Sequence, residues 1–238
     1  MTDNEKYIKE QFAKANLYPD EIALSRLVMF YHLLVEKNKV MNLTGITEFD
    51  EVVQKHFLDS VYGLDEYMEE AEKILDLGTG AGFPGMPLKI LYPEKPFVLM
   101  DSLKKRLNFL EEVRVALKLD KLTFEHGRAE DLGHDKRYRE SFDLVLSRAV
   151  AKLSTLSELC LPFVKVGGYF ISFKSGNIEE ELEQAANAIK ALGGTVEDVN
   201  KFMLPDSDIS RSLIIIRKAK PTKKQYPRKA GTPLKSPL

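Results

Sequence analysis

A glycine-rich turn that directly follows a short apolar run constrains the fold more than any other stretch of this chain. The apolar run is Ile74–Leu77, and the next eight residues, GTGAGFPG, contain four glycines and Pro84, where a helix can begin. Glycine lets the backbone adopt positive φ and lets a ligand approach closely. The pattern predicts a strand, a turn and a helix, which is typical of a nucleotide site at the carboxyl end of a sheet strand.

The glycine pattern fits more than one kind of site. Residues 80–85 match the GxGxxG fingerprint of dinucleotide-binding proteins. Residues 78–82 equally match the GxGxG loop of methyltransferases that use S-adenosylmethionine. Asp101, at the end of the next predicted strand, would bind ribose hydroxyls in either case. A purely structural glycine turn is the third alternative, so the remainder of the chain has to decide.

Length and composition exclude several classes of protein. A chain of 238 residues can form one large domain, or one domain with a helical extension, without a disulfide or metal. Its one cysteine, Cys160, lies in an apolar run and is interpreted as a buried hydrophobic residue. The four histidines are scattered, so we expect no metal site. No signal peptide or long apolar span is evident, which predicts a cytoplasmic protein without a membrane partner.

The net charge of −1 conceals an asymmetry between the body and the end of the chain. Residues 217–238 carry eight lysines and arginines and no acidic residue, which leaves 27 basic and 36 acidic residues before them. An acidic body with a basic tail favours a polyanionic partner. A solvated tail without a partner is the alternative.

The chain divides into three parts. We predict a helical subdomain over residues 1–70, a sheet domain over 71–218 and a basic tail over 219–238. The first part should contain helices at 3–16 and from 20 to about 37, then an irregular connector to Gly45. Thr47 should cap a third helix, with Asp50 at the reciprocal capping position.

After Gly78, strands alternate with helices, which predicts an α/β fold with a mostly parallel, doubly wound sheet. Strands are expected at 97–102, 122–127, 142–149, 169–174, 195–204 and 212–218. No helix separates the last two, so they should form an antiparallel hairpin at one edge. This Rossmann-like layout is that of S-adenosylmethionine-dependent methyltransferases. A dehydrogenase would need a further nucleotide-binding half and a catalytic domain, for which the chain is too short.

The sequence resembles the ribosomal small subunit methyltransferase G family, also called the glucose-inhibited division protein B family. The segments that carry the resemblance are NLTGIT (42–47), KHFLDS (55–60), DLGTGAGFPG (76–85), DSLKKRLNFLE (101–111), GRAED (127–131), SRAVAKL (147–153) and KKQYPRKAGTP (223–233). The tail departs from the expected pattern only at Ala230, where proline was expected. The resemblance implies methylation of guanine N7 in 16S ribosomal RNA, with S-adenosyl-L-methionine as cofactor. It also implies 16S RNA or the small-subunit particle as partner; we expect a monomer.

The residues and the resemblance together predict a cofactor site. Its expected members are Gly78, Gly80, Phe83, Asp101, Ala129, Glu130 and Arg148. Phe83 would cover the cofactor or, alternatively, pack against a helix. A backbone N–H near Ala129 would read the adenine ring, while Glu130 would contact the cofactor or cap a short helix.

The predicted catalysis depends on positioning and uses no general base, because guanine N7 already has an in-plane lone pair. Arg148, at the end of a strand, has a planar fork that suits a carboxylate, a guanine edge or a phosphate. An ion pair with Asp76 or another strand-end acid is its structural alternative. Lys174 is predicted to face the RNA backbone. His56 and Asp59, three residues apart, are expected to form a structural pair in preference to contacting cofactor or base.

Two other functions compete with an RNA methyltransferase: an NAD-linked oxidoreductase and a non-catalytic RNA-binding module. The hairpin ending disfavours the first, and the intact glycine loop with Asp101 and Arg148 disfavours the second. The tail is expected to be mobile unless Tyr226 and Pro227 dock on the domain. Because the tail should lie away from the cofactor, its deletion is expected to weaken RNA binding and leave cofactor affinity unchanged.

Overall fold

A seven-stranded sheet with helices on both faces forms the centre of the computed structural model, which describes residues 1–148, 150–175 and 178–238. The strand order is β3-β2-β1-β4-β5-β7-β6. The first five strands are parallel, and β7 pairs antiparallel with both β5 and β6. The predicted edge hairpin is therefore confirmed. The strands are β1 Ile74–Leu77, β2 Phe97–Asp101, β3 Leu122–His126, β4 Phe142–Arg148, β5 Val164–Lys174, β6 Gly194–Met203 and β7 Ser210–Lys218.

More helices precede the sheet than the three that were predicted. Five lie before the sheet, and a π-helical turn, Val53–Leu58, connects the third to the fourth. They are α1 Asp3–Lys14, α2 Glu21–Met41, α3 Phe49–Val52, α4 Asp59–Val61 and α5 Asp65–Glu70. Those that follow are α6 Gly85–Leu91, α7 Lys104–Leu117, α8 Ala129–Leu132, α9 Leu153–Cys160, α10 Glu179–Ala191 and α11 Thr232–Lys235, with a 3₁₀ turn at Leu161–Phe163.

Two hydrophobic clusters cover the two faces of the sheet. Alternation along β1 sends Ile74 to one cluster and Leu75 and Leu77 to the other. The N-terminal helices contribute Phe30 and Phe57 to the same cluster as Ile74, so they share a core with the sheet. The boundaries at residues 70 and 218 remain a prediction about organisation. Among the helices that the structure describes, none has both the length and the apolar character of a membrane span.

Three local predictions were wrong. The second helix continues to Met41, beyond its predicted end near residue 37. It ends at Asn42, whose backbone is in the left-handed region, and the Asn38 side chain accepts hydrogen bonds from the next two N–H groups, those of Leu43 and Thr44. Thr47 is not the cap of the next helix; Glu48 occupies that position without a side-chain hydrogen bond. The carbonyl of Thr47 instead accepts from the Tyr31 hydroxyl.

The fifth strand begins at Val164, five residues before the predicted start. The Gly167–Gly168 pair, which predicted a break, is accommodated inside β5 with a shift of register against β4 between Phe142 and Leu144. The predicted end of the fourth strand, Ala149, lies outside the described residues.

Candidate cofactor and substrate site

The carboxyl ends of the parallel strands lie along one edge of the sheet and carry the predicted site residues. Asp101 ends β2, Arg148 ends β4 and Lys174 ends β5. The glycine-rich turn leaves the end of β1 beside them, because β1 lies between β2 and β4. Parallel strand order therefore gathers residues that are up to about 100 positions apart in the chain.

The glycine turn is built around Gly78 and Gly80, which have φ values of +75° and +60°. The Gly78 and Thr79 N–H groups donate to the Met100 carbonyl at 2.8 and 3.1 Å, which ties the turn to β2. A Cβ atom on Gly80 would have only the Gly78 carbonyl oxygen near it, at 3.9 Å. The backbone at Gly80 thus borders open space in which a ligand can approach it.

Gly85 has a different role from the glycines of the turn. A Cβ atom there would lie 2.6 Å from Asp76 Oδ2 and 3.1 Å from Leu99 Cγ, so its absence lets α6 approach the sheet. The Gly85 N–H donates to Asp76 Oδ2 at 2.9 Å. Burial raises the pKa of Asp76 to about 6, because the carboxylate is removed from water.

Asp101 is buried, and its carboxylate organises the surrounding backbone. Oδ2 accepts from the Gly80 N–H at 2.9 Å, and Oδ1 accepts from the Leu103 N–H at 2.8 Å. The Arg106 guanidinium lies 3.4 Å from Oδ2. Oδ1 accepts one hydrogen bond and has a second lone pair, so it can bind a ribose hydroxyl while Oδ2 holds the glycine turn.

Three adjoining cavities open along this edge. The tail cavity, about 210 Å³, includes Gly78, Asp101, Ala129 and Glu130 in its lining, together with Gly231, Pro233 and Leu234 of the tail. The loop cavity, about 400 Å³, includes Gly78, Gly80, Phe83, Asp101, His56 and Arg148. The arginine cavity, about 490 Å³, includes Lys55, His56, Asp59, Arg148, Lys174, Glu181 and Arg211.

Shared residues make the three cavities a continuous cleft. Gly78 and Asp101 border both the tail cavity and the loop cavity. His56 and Arg148 border both the loop cavity and the arginine cavity. The structure therefore brings all seven predicted cofactor residues into two adjoining cavities and places Arg148 where the second meets the third.

Arg148 is nearly buried and is held by the N-terminal helices. Its Nη1 lies 3.1 Å from Asp59 Oδ2, and its guanidinium lies 5.2 Å from the centre of the Phe83 ring. Burial lowers the pKa of the guanidinium, while Asp59 and Asp76 act in the opposite direction. The alternative of an ion pair with Asp76 or another strand-end acid was wrong about the partner, because Arg148 pairs with Asp59, the first residue of α4.

The expectation that His56 and Asp59 pair with each other is wrong. Asp59 lies between two arginines, with Arg211 Nε 2.7 Å from Oδ1 on the side away from Arg148. His56 Nε2 lies 2.8 Å from the Thr44 hydroxyl, and the ring stacks on Phe83 at 4.4 Å. The π-helical turn that contains His56 precedes Asp59 directly, and such turns are frequent at functional sites.

Phe83 belongs to the hydrophobic cluster as well as to the loop cavity. Its ring contacts Phe30 at 5.5 Å and Phe57 at 6.3 Å between ring centres, and it is 6% exposed. The predicted packing role is therefore observed, whereas contact of Phe83 with the cofactor remains a prediction. It fixes the His56 ring and the floor beneath Arg148.

The Lys174 ammonium is already hydrogen-bonded to other groups of the protein. It donates to the Ala151 carbonyl at 2.8 Å and to Glu181 Oε1 at 2.6 Å. The side chain borders the arginine cavity, but a paired ammonium is a weaker ligand for phosphate than a free one. Its contact with the RNA backbone remains a prediction.

Several members of the site were missed from the sequence. Arg211, on β7, reaches Asp59 across 152 positions, and no local motif marks it. Lys55, Thr44 and Arg106 border the cleft within segments that were singled out only for the family resemblance.

Among the described residues, no cluster of three or more potential metal ligands was found. Burial raises the pKa of the Cys160 thiol well above its ordinary value.

The prediction that the tail lies away from the cofactor-binding edge of the sheet was wrong. Tyr226 and Pro227 do dock on the domain: their carbonyls lie 2.8 Å from Arg139 Nη1 and 2.7 Å from His134 Nε2. The tail continues to the strand ends and closes in a single turn of helix, α11. The reason for expecting unchanged cofactor affinity after tail deletion is therefore wrong, since the tail borders the tail cavity.

The partly buried position of His56 predicts a measurable effect of pH on stability. Burial, aided by Arg148, lowers the pKa of His56 from 6.5 to about 4 in the folded protein. Between pH 6.5 and 4 the unfolded chain binds a proton that the folded ring does not, so stability falls as the pH falls. Relative to His56→Gln, the wild-type free energy of unfolding should drop by roughly 3 kcal/mol over this range.

Urea unfolding of both proteins from pH 4 to 7.5 measures that difference. The comparison with the variant is essential, because Asp76, with its pKa raised to about 6, gives the wild type an opposite slope. A difference that does not change with pH would show that the His56 ring accepts protons as readily in the folded protein as in the unfolded chain.

Comparison with known proteins identifies the family of this chain. Residues 23–213 match the family described as rRNA small subunit methyltransferase G. A ribosomal RNA small subunit methyltransferase G of Lachnoclostridium phytofermentans is 50% identical over 239 residues, covering 100% of this chain and 98% of the relative. One of Lactobacillus johnsonii is 49% identical over 238 residues, covering 99% and 100%.

The solved structure of a putative O-methyltransferase from Klebsiella pneumoniae gives a TM-score of 0.55. At 13% identity over 89% of this chain and 96% of that one, the likeness concerns the fold alone. The predicted methyltransferase fold is confirmed by this likeness, and the predicted family by the relatives. This chain belongs to the rRNA small subunit methyltransferase G family.

Proposed function

We propose that this protein transfers a methyl group from S-adenosyl-L-methionine to N7 of a specific guanine in 16S ribosomal RNA, in the cytoplasm. The observation that carries the proposal is the convergence of the glycine turn, Asp101 and Arg148 on one continuous cleft. In a member of this family, such a cleft is the place where cofactor and RNA base would meet.

The residues present fit the cofactor. The open space beside Gly80 admits a ligand against the backbone, and buried Asp101 offers carboxylate oxygens to ribose hydroxyls. Leu159, Pro233 and Leu234 give the tail cavity an apolar lining suited to a flat ring. When bound, S-adenosylmethionine supplies a methyl group on a sulfonium, which is reactive towards a ring nitrogen.

The protein would contribute orientation. Guanine N7 needs no base, since its lone pair lies in the plane of the ring. Correct placement of reacting groups can supply roughly 7–11 kcal/mol of barrier lowering. Arg148 is our candidate for placing the base, because its fork borders both the loop cavity and the arginine cavity and is fixed by Asp59 and Phe83.

The arginine cavity has the charge expected of a site for RNA. Lys55, Arg148, Lys174 and Arg211 surround it; Asp59 pairs with the two arginines, and Glu181 pairs with Lys174. Lys55 also pairs with Glu51 on its own helical segment. Arginines that are held in place by carboxylates keep a fixed direction for their free N–H groups, which favours planar recognition of a base or phosphate.

A labelled-methyl assay tests the proposed function. The protein is incubated with methyl-labelled S-adenosylmethionine and either naked 16S RNA or small-subunit particles from cells that lack the gene. We expect label in 7-methylguanosine at one nucleotide, detected by mass spectrometry of RNA fragments, and none in 23S RNA. Label at another ring position, or in a different RNA, would contradict the proposal.

The lysines of the tail should contact RNA phosphates. Lys223, Lys224 and Lys229 are exposed, whereas Arg228 is already bound to Glu158. Changing these three lysines to glutamine should weaken RNA binding and reduce the slope of log affinity against log salt by about 2, at roughly 0.7 per phosphate contact. S-adenosylmethionine affinity should not change, because these lysines do not border the tail cavity. Filter binding at several salt concentrations measures the slope, and an unchanged slope would place the RNA surface elsewhere.

A further inference from the structure

We propose that the end of the tail, residues 231–234, forms one wall of the pocket for the adenosine half of the cofactor. The inference rests on the proposed function, since it concerns the same cleft. It adds a segment of the chain, far from the glycine turn in sequence, to the cofactor-binding site.

The lining of the tail cavity is the first observation. Gly231, Pro233 and Leu234 border this space together with residues that follow β1, β2 and β3. Leu234 is 70% exposed although it is a large apolar side chain, and it stands at the cavity. A flat ring bound in the cavity would cover this apolar surface and remove it from water, which would stabilise the bound state.

A buried ion pair fixes the tail before it reaches the cavity. The Glu158 carboxylate, on α9, is fully buried. Both of its oxygens accept from the Arg228 guanidinium, at 2.9, 3.1 and 2.6 Å, and Oε1 also accepts from the Arg228 N–H at 2.7 Å. A buried carboxylate without such a partner is costly, so the body of the protein is built to receive the tail.

Further hydrogen bonds hold the tail upstream and downstream of this pair. Arg139 donates to the carbonyls of Thr222, Lys223 and Tyr226. The Gly231 N–H donates to Glu130 Oε1 at 2.8 Å, and the Thr155 hydroxyl donates to the Pro233 carbonyl at 3.0 Å. Glu130 and Thr155 themselves border the cavity, so the tail is attached to the lining of the cavity directly.

These contacts assign Glu130 a role that the family resemblance did not give it. Its carboxylate holds the tail by the Gly231 backbone and so acts as a positioning residue for the adenosine wall. Together, the apolar side of the wall and the carboxylate of Asp101 offer complementary surfaces to the ring and the ribose of one nucleoside.

Two variants test the wall while they leave the ion pair in place. One replaces the exposed Leu234 with serine, and the other ends the chain at Lys229, which keeps Arg228. Isothermal titration measures the affinity for S-adenosylmethionine, S-adenosylhomocysteine and 5′-methylthioadenosine. Leu234→Ser should weaken all three by the same factor, about fivefold to tenfold, and the truncation should weaken them more than tenfold.

Lys235→Ser is the matched control, because Lys235 lies on the same turn of helix but does not border the cavity. Its affinities should equal those of the wild type. Circular dichroism and thermal unfolding establish that each variant is folded before titration.

The outcomes separate the inference from the proposed function. If the wild type fails to bind S-adenosylmethionine, the proposed function is overturned. If the wild type binds and Leu234→Ser and the truncation bind equally well, the wall proposal alone is overturned. A loss that is seen with S-adenosylmethionine and absent with 5′-methylthioadenosine would also overturn it, because the tail would then contact the methionine half.

Discussion

Replacing Arg148 with alanine should lower the turnover of methyl transfer by roughly 100-fold or more, the order of loss expected when a reacting group is misplaced by about 1 Å. The physical reason is geometric: Arg148 borders both cavities in which cofactor and base would meet, and Asp59 and Phe83 fix its fork. Single-turnover kinetics with saturating S-adenosylmethionine measure the effect. Arg148→Lys should recover only part of the rate, because an ammonium keeps the charge but lacks the planar fork.

Arg211→Ala is the control for this experiment, because Arg211 is the other arginine bound to Asp59. Both variants leave the buried carboxylate with one cation, so both should lose stability, by up to about 3 kcal/mol. At saturating RNA, only Arg148→Ala should show the large loss of rate in the folded fraction, because Arg211 borders the arginine cavity and not the loop cavity. Equal losses of rate in both variants would assign the role to Asp59 and its charge balance, and would remove Arg148 as the residue that places the base.

Replacing Gly80 with valine should abolish measurable binding of S-adenosylmethionine. A branched side chain there would enter the open space of the loop cavity. Apart from the adjacent residues of the chain, the nearest atom to the new Cβ would be the Gly78 carbonyl oxygen, at 3.9 Å. It would also strain the backbone, because φ is +60° at this position. The strain should lower the free energy of unfolding by about 1–2 kcal/mol, which leaves the variant folded. Titration calorimetry measures the binding, and urea unfolding measures the stability.

Gly167→Val separates strain from loss of the site. Gly167 has a φ of +92°, and a Cβ atom added there would have no neighbouring atom within 4 Å. It lies inside β5, however, away from the three cavities. This variant should lose stability and bind S-adenosylmethionine as the wild type does. If Gly80→Val is folded and binds normally, the glycine turn is structural only.

The parts of the site that follow strands could be predicted because their signals are local. A four-residue apolar run followed by glycines identifies β1 and its turn, and the next strand end identifies Asp101 without any knowledge of contacts. The edge hairpin was predictable for a similar reason: no helix-length segment separates β6 from β7. Parallel strand order then places such residues together, whatever their separation in the sequence.

The contacts that hold Arg148 could not be predicted in this way. Asp59 lies just after a π-helical turn, and the regular 3.6-residue pattern does not reveal where such a turn begins or which way its side chains face. Arg211 approaches from β7, so its contact depends on the register of a hairpin with a bulge. The position of the tail depends on Glu158, whose partner Arg228 lies 70 positions further along the chain and is marked by no local pattern.

The hydrophobic cluster shared by the N-terminal helices and the sheet has a consequence for how the molecule can move. Phe30, Phe57 and Phe83 join the helices to the floor of the loop cavity, so a hinge between helices and sheet would expose aromatic surface to water. Such a hinge is energetically costly, and the side of the cleft that contains Arg148 is therefore stiff. On the proposed function, the side of the cleft that places the RNA base would then keep its shape between turnovers.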